Sequence, residues 1–268
     1  EHHIKVQNYL SEDQTHLRVS LLPNLIKNTL FNLKNFDSFK LFEIGRTYED
    51  LQEYFPIEEK KICGLICSSD KAKNLATRLE IFYEAKGALE TFLDVMGFGD
   101  LESRKGESFC PYAHPNRYAA YYDRQNEEEV ARLFELHPLV ANNFGLNKCK
   151  IAVFEINFSR LAALKQKKMR YKELPKFPGI VFDISFLIDK NRPVGDLKKM
   201  LKNCDKKLIR EVKLFDIYEG SNISNDKKSL AFQIQLLALD RTLTDNEGKE
   251  VLNKIIAAIK KAGGEVRT

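Results

Sequence analysis

The sequence predicts an α+β chain of two domains, and three observations carry that reading. In the last third, apolar periodicity switches between 2 and 3.6 in the order strand, helix, strand, strand, helix, strand. Upstream, residues 1–160 hold mostly strands with flanking helices and lack the regular alternation of a doubly wound sheet. Between the two lies LAALKQKKMRYKELPKFP at 161–178, a charged, proline-punctuated stretch of the kind that separates domains. The predicted division is 1–165, a linker at 166–172 and 173–268.

In the first part, apolar spacing predicts a helix over 21–33 and another over 81–95. Alternation predicts strands at 40–48 (KLFEIGRTY) and 61–68, and near Ala119, Val130 and Ile151. Together these make a mostly antiparallel sheet with helices on its faces. In the last part, IVFDISFLI at 180–188 is β-branched and aromatic and reads as a strand. Pro193 can open a helix without losing a bond, and Val194, Leu197, Met200 and Leu201 give it an apolar side. Strands at 208–218 and 229–239 flank a Gly, Ser, Asn and Asp loop. Thr244-Asp-Asn-Glu247 has the capping-box form, so a helix follows it. Val251, Leu252, Ile255, Ile256 and Ile259 supply its apolar face, Gly263 and Gly264 stop it, and 265–268 is a short last strand. The order β-α-β-β-α-β is that of a ferredoxin-like split unit with both helices on one face of an antiparallel sheet.

The 268 residues are 43% hydrophobic and 30% charged, ample for two cores. No apolar run approaches the ~20 residues of a membrane-spanning helix, so no membrane partner is expected. Five widely spread cysteines are unlike the dense even sets of secreted scaffolds and point to a reducing cytoplasm. The chain opens on Glu1 and reads straight into patterned sequence, which predicts a portion of something longer. Net charge is +5, unevenly placed: Lys and Arg balance Asp and Glu at 24 each over residues 1–170, whereas 171–268 hold 19 against 14. A basic excess confined to one domain fits polyanion binding, because cations that neutralise phosphates release condensed counterions.

Several chemistries fail on spacing. There is no G-x-G-x-x-G and no G-x-x-x-x-G-K-[ST], so no phosphate cradle is expected. Cys63 and Cys67 lie an even number apart in an apolar strand, which predicts core packing on one face and no metal. His114, Glu135 and His137 would be the donors of a metal or proton-transfer site, yet a proline follows each His and neither belongs to an i, i+4 pair. Arg18, Glu43 and Arg46 read as structural ion pairs before an anion site. In the last third, Lys172, Lys176, Lys227, Lys228, Arg241 and Arg267 accompany the aromatics Tyr171, Phe177 and Tyr218. An open sheet face combining cations with rings suits single-stranded RNA, while core rings and solvated lysines explain the same residues equally well.

YKELPKFPGIVFDISFLID at 171–189, FDIYEG at 215–220, KKSLAFQIQL at 227–236 and DRTLTDNE at 240–247 resemble the ferredoxin-fold anticodon-binding domain of the bacterial phenylalanyl-tRNA synthetase beta subunit. LRVSLLPNLI at 17–26, LFEIGRTY at 41–48, HPNRYA at 114–119 and ELHP at 135–138 resemble the catalytic-like domain of the same subunit. The resemblance implies a class II synthetase-like antiparallel sheet domain without catalytic residues or metal, followed by a domain that contacts phenylalanine tRNA. It implies a catalytic alpha subunit as partner in an α2β2 assembly, with ATP and magnesium used by the whole enzyme and no cofactor in this portion. The editing domain and magnesium-binding carboxylates would precede Glu1. For RNA contact the expected residues are Tyr171, Lys172, Lys176, Lys227, Lys228 and Arg241, the lysines on phosphates and the ring on a base. Two departures limit the carry-over: Phe182 stands before Asp183 where the family usually has Arg, and Phe134 precedes ELHP where many members have Gly. The stretch VFEINFSRL at 153–161 lacks the glycines of a true class II ATP motif, which predicts that this portion does not form the adenylate. Two other readings stay open, a protein-binding scaffold with no RNA role and an independent His/Glu metalloenzyme.

Overall fold

In a computed structural model, the residues described are 3–49, 55–71, 81–99, 101–104, 110–123, 125, 127–167, 175–220 and 223–267. The chain divides into two compact units, Glu1–Arg170 and Tyr171–Thr268. Most of the linker expected at 166–172 lies outside the described residues.

The first unit is built on a six-stranded antiparallel sheet. Its strands are β1 (Ser38–Glu49), β2 (Ile57–Ser69), β3 (Glu102–Arg104), β4 (Ala113–Tyr122), β5 (Glu129–Leu136) and β6 (Cys149–Asn157), in spatial order β1-β2-β6-β5-β4-β3. Helix α1 (Leu22–Asn32) turns Leu22, Leu25, Ile26 and Thr29 inward, with Pro23 in its first turn. These residues meet Cys63, Leu65, Cys67, Phe134 and Val153 on one face of the sheet. Helix α2 (Ile81–Val95) covers the other face, its Ile81, Phe82, Ala85, Leu89 and Leu93 packing on Ile62, Ile66, Leu133 and Ala152. Strand β2 is therefore buried on both sides, and its odd and even apolar residues serve different cores. Each such Leu, Ile or Phe contributes about 1.5–3 kcal/mol by leaving water. Gly64 sits opposite Phe154 with the ring lying over it, so a side chain there would collide with the aromatic. The short helices α3 (Pro138–Asn143) and α4 (Phe158–Ala163) and strand β3 carry too few turns or alternations to show in the sequence.

The second unit follows the predicted order: β7 (Ile180–Asp189), α5 (Val194–Asn203), β8 (Ile209–Tyr218), β9 (Lys227–Leu236), α6 (Asp245–Lys261) and β10 (Glu265–Arg267). Its sheet runs β10-β7-β9-β8, antiparallel throughout, so β9 lies between the two strands joined through α5. Leu197 and Leu201 of α5 and Val251, Ile255 and Ile259 of α6 pack on Ile184, Phe186, Ile188, Leu230, Phe232 and Ile234. The Phe186 and Phe232 rings stack with centroids 5.8 Å apart.

Termini behave as the signals require, with two shifts. Thr244 accepts from the Glu247 amide at 3.4 Å, and the Glu247 carboxylate accepts from the Thr244 amide at 2.9 Å, completing the capping box. Gly263, at φ +83°, ends α6: its amide donates to Lys260 O at 3.0 Å and that of Gly264 to Ile259 O at 2.9 Å, the paired bonds of a left-handed cap. The strand expected at 229–239 runs instead from Lys227 to Leu236, because Lys227 pairs with Asp189 while Leu236 meets the last partners on both neighbours, Ile180 and Ile209. Pro193 is extended at ψ 132° and caps α5 from outside.

Candidate nucleic-acid interface

Alternation along the four strands decides which side chains reach the uncovered face of the second sheet. With Ile184, Phe186, Leu230 and Phe232 committed to the helices, the opposite face takes Asp183, Ser185 and Leu187 from β7 and Ser229, Ala231, Gln233 and Gln235 from β9. Register places Lys213, Asp216 and Tyr218 of β8 opposite Gln233, Ala231 and Ser229, and Glu265 and Arg267 of β10 opposite Leu187 and Ser185. The middle of the face is thus floored by small side chains, with Tyr218 exposed at its rim. Gln233 donates to Asp183 at 3.2 Å, and the face carries hydroxyl, amide and carboxylate groups in place of the dense cations expected. Such a floor admits a flat ring against Tyr218 and offers hydrogen-bond partners to its edge.

The residues expected to touch RNA do not converge. Tyr171 and Lys172 lie outside the described residues. Lys227 and Lys228 open β9, across from the end of β7, whereas Lys176 precedes the start of β7 and Arg241 follows the end of β9. Nine residue steps of strand separate these two ends, about 30 Å. Lys228, expected on a phosphate, is only 8% exposed, and its ammonium donates to the Arg192 carbonyl at 2.7 Å. Burial pulls its pKa down, and its bond to the Arg192 carbonyl makes it an internal strut. Lys227 is engaged too, bonded to Glu265 at 2.6 Å, and that bond raises its pKa. Arg241 braces the start of α6, donating to Glu247 at 2.6 Å and to Asp240 at 3.1 Å. Lys176 is exposed, and Phe177 is half-buried.

Cations that stay exposed and without an ion pair among the described residues gather elsewhere, at Lys198, Lys199, Lys202, Lys206, Lys207, Arg210 and Lys213. Their signal in the sequence is a density of Lys and Arg along α5 and β8. A pattern of cations beside rings does not find it, because this run has no aromatic until Phe215.

In the first unit the chemically suggestive residues are committed to structure. Arg18 bonds Glu43 and donates from Nε to Arg46 O at 2.8 Å, while Arg46 pairs with Glu58 at 3.0 Å. Register lines Arg132, Glu155, Cys63 and Glu43 across four strands. The Glu155 carboxylate takes Arg132 at 2.7 Å and the Ser20 hydroxyl at 3.3 Å. Burial, reinforced by Glu155 and Glu43, pushes the Cys63 thiol pKa well up, so it stays protonated and unreactive. His137 caps α3 by accepting from the Leu139 amide at 3.2 Å, His114 accepts from the Asn116 amide at 3.1 Å, and Glu135 faces Arg117 at 3.9 Å. Among the described residues no group of three or more His, Cys, Asp or Glu is arranged to hold a metal. None of their helices is long and apolar enough to cross a membrane.

What this unit does offer is an edge. Among the described residues strand β1 pairs only with β2, and Phe42 and Ile44 stand 74% and 54% exposed on it. Phe31, Phe36, Phe55 and Ile57 are exposed in the elements before and after it. The segment around Arg18 covers one end of the free edge, where the Tyr48 amide donates to Arg18 O at 2.9 Å. A run of large apolar residues beside unpaired strand backbone marks a surface made to be covered.

Comparisons with known proteins bear on both units. A family model described as "Phenylalanyl tRNA synthetase beta chain CLM domain" matches residues 1–158, and one described as "Ferredoxin-fold anticodon binding domain" matches 175–267. The phenylalanine-tRNA ligase beta subunit of Fusobacterium nucleatum is 34% identical over 274 residues, covering 98% of this chain and 33% of that protein. Its counterpart from Geobacillus kaustophilus is 31% identical over 261 residues, covering 96% and 32%. The chain therefore spans about a third of the length of the curated relatives it matches. Among solved structures, a pyrrolysyl-tRNA synthetase of Desulfitobacterium hafniense superposes with TM-score 0.44 at 16% identity, over 58% of this chain and 51% of that one.

Proposed function

Because this chain belongs to the phenylalanyl-tRNA synthetase beta chain family, we propose that it works within phenylalanine-tRNA ligase, its second unit holding the tRNA anticodon region and its first unit scaffolding the catalytic alpha subunit. The observation that carries the reading is the uncovered sheet face of the second unit, in a domain matched by the anticodon-binding model. Tyr218 stacks a base at the rim of that face, and Asp216 and Gln233 present hydrogen-bonding groups to base edges. The apolar β1 edge of the first unit receives the alpha subunit, in an α2β2 enzyme of the cytoplasm. In this reading the first unit is non-catalytic, and its Arg18–Glu43 and Arg132–Glu155 pairs serve as structural ties. ATP and magnesium belong to the assembled enzyme, with no cofactor on this portion.

Binding of phenylalanine tRNA to the assembled enzyme tests the reading, with a tRNA of altered anticodon beside it. Loss of a stacked base costs about 1–3 kcal/mol, so Tyr218→Ala is expected to weaken the cognate tRNA by about 10-fold or more and to narrow its advantage over the altered one. Unchanged affinity and unchanged discrimination would remove the open face from anticodon recognition.

A further inference from the structure

We propose that residues 198–213 form the track on which the RNA sugar-phosphate backbone lies, distinct from the open face that meets the bases. The proposal rests on the RNA-binding reading of the second unit and adds to it the surface that supplies charge. This segment holds Lys198, Lys199, Lys202, Lys206, Lys207, Arg210 and Lys213 against only Asp205 and Glu211. Seven cations less two anions is +5, the net charge of the entire chain. All seven are exposed, and among the described residues none is in an ion pair. Asp205 does not offset them, because Lys254 of α6 bonds it at 2.9 Å. The contrast with Lys227, Lys228 and Arg241, each tied to a protein oxygen, is the central observation.

The fold arranges these charges as a continuous strip. Leu197 and Leu201 anchor α5 to the sheet, which leaves Lys198, Lys199 and Lys202 on its outer side. Lys198 and Lys202 are four residues apart, so they stand on one helix face. The turn at 204–208 carries Lys206 and Lys207, and Arg210 lies where β8 bulges between Ile209 and Glu211. Lys213 then emerges on the uncovered face opposite Gln233, on the strand that ends at Tyr218. The strip thus leads from the helical layer around the edge strand to the reading face. Like charges at such spacing repel one another in the isolated protein. A polyanion removes that repulsion and releases counterions as it binds.

The test uses the full-length beta chain assembled with its alpha chain. Binding of phenylalanine tRNA is measured from about 0.05 to about 0.3 M salt, where neutralised phosphates dominate the change in affinity. Replacing Lys198, Lys202, Lys206 and Lys207 by Gln is expected to weaken binding about 10-fold or more at the low-salt end. It also lowers the slope of log affinity against log salt by about 0.7 for each phosphate no longer neutralised. Preference for the cognate anticodon stays unchanged. A charge-matched comparison keeps the result local: Lys206→Gln with Lys207→Gln should lower the slope, whereas Lys260→Gln with Lys261→Gln, at the end of α6, should not. Equal effects from the two pairs would reduce the strip to net charge and overturn the proposal. Unchanged affinity and slope in the four-lysine variant would overturn it also, and if Tyr218→Ala still lost anticodon preference, the RNA reading itself would stand. Loss of alpha-chain assembly with an unaltered salt slope would overturn it by assigning the strip to an acidic protein surface instead.

Discussion

The two sheets of this chain differ in how many of their faces are covered. The six-stranded sheet has helices on both sides, so strand β2 buries Cys63, Leu65 and Cys67 one way and Ile62 and Ile66 the other. Its two edges, at β1 and β3, are what remain to meet another molecule, and the exposed Phe42 and Ile44 lie at β1. The four-stranded sheet has both helices on one side, so β9 buries Leu230, Phe232 and Ile234 while Ala231, Gln233 and Gln235 look out. A doubly covered sheet is a scaffold that communicates through its margin. A singly covered one has a whole face left for a ligand, and charge can be placed around that face without entering a core.

Substitution along one strand of each sheet is the sharpest way to break this contrast. On β2, Leu65→Ala and the adjacent Ile66→Ala should both destabilise by about 2–5 kcal/mol, since each empties a packed site. On β9, Phe232→Ala should cost about 3–5 kcal/mol and the adjacent Gln233→Ala no more than about 0.5. Urea denaturation followed by far-UV circular dichroism reads all four. A Gln233→Ala loss as large as that of Phe232→Ala would mean that the outward face is covered after all.

A smaller effect separates the two adjacent lysines that open β9. Lys228 is buried against the Arg192 carbonyl, so Lys228→Met leaves that acceptor without its donor and should cost about 1–3 kcal/mol. Lys227→Gln removes only an exposed pair with Glu265 and should leave the urea midpoint nearly unmoved. Equal losses at the two positions would mean that Lys227 also bears on the fold and would weaken the distinction between strut and surface.

Much of this architecture is legible in the sequence because it depends on local rules. Helix α6 can be placed from Thr244, Glu247 and Gly263, whose capping chemistry involves residues within one turn. The covered and open sides of β7 follow from strict alternation in IVFDISFLI. The site is less legible for a matching reason. Whether a lysine is free depends on groups distant in sequence: Lys228 is bound by Arg192, and Lys227 by Glu265. The bulges on β8 after Ile209 and Leu214 also set which of Asp216, Ile217 and Tyr218 faces outward, and no residue pattern announces them.

The smallest expected effect concerns the clamp at the base of the cationic strip. Asp205 accepts from Lys254 at 2.9 Å and from the Lys207 and Leu208 amides at 3.1 Å each, so it fixes the turn carrying Lys206 and Lys207 to α6. The Lys254 bond leads in holding the Asp205 carboxyl below its ordinary value, and the same bond raises the Lys254 ammonium. A depressed acid stabilises the fold above its unfolded value of about 3.9 and loses that contribution as pH falls through the lower folded value. A raised lysine contributes below its unfolded value of about 10.4 and loses the effect as pH rises through the higher folded one. The pair is therefore fully effective between about pH 4 and 10 and fades at both ends. Lys254→Gln should lower the thermal midpoint slightly and evenly across that window, with the difference from the parent chain vanishing near pH 2. A difference that persisted in acid would show that Lys254 acts through its aliphatic stem. In that case the turn would be held by the two backbone bonds alone, and the strip would keep its geometry without the clamp.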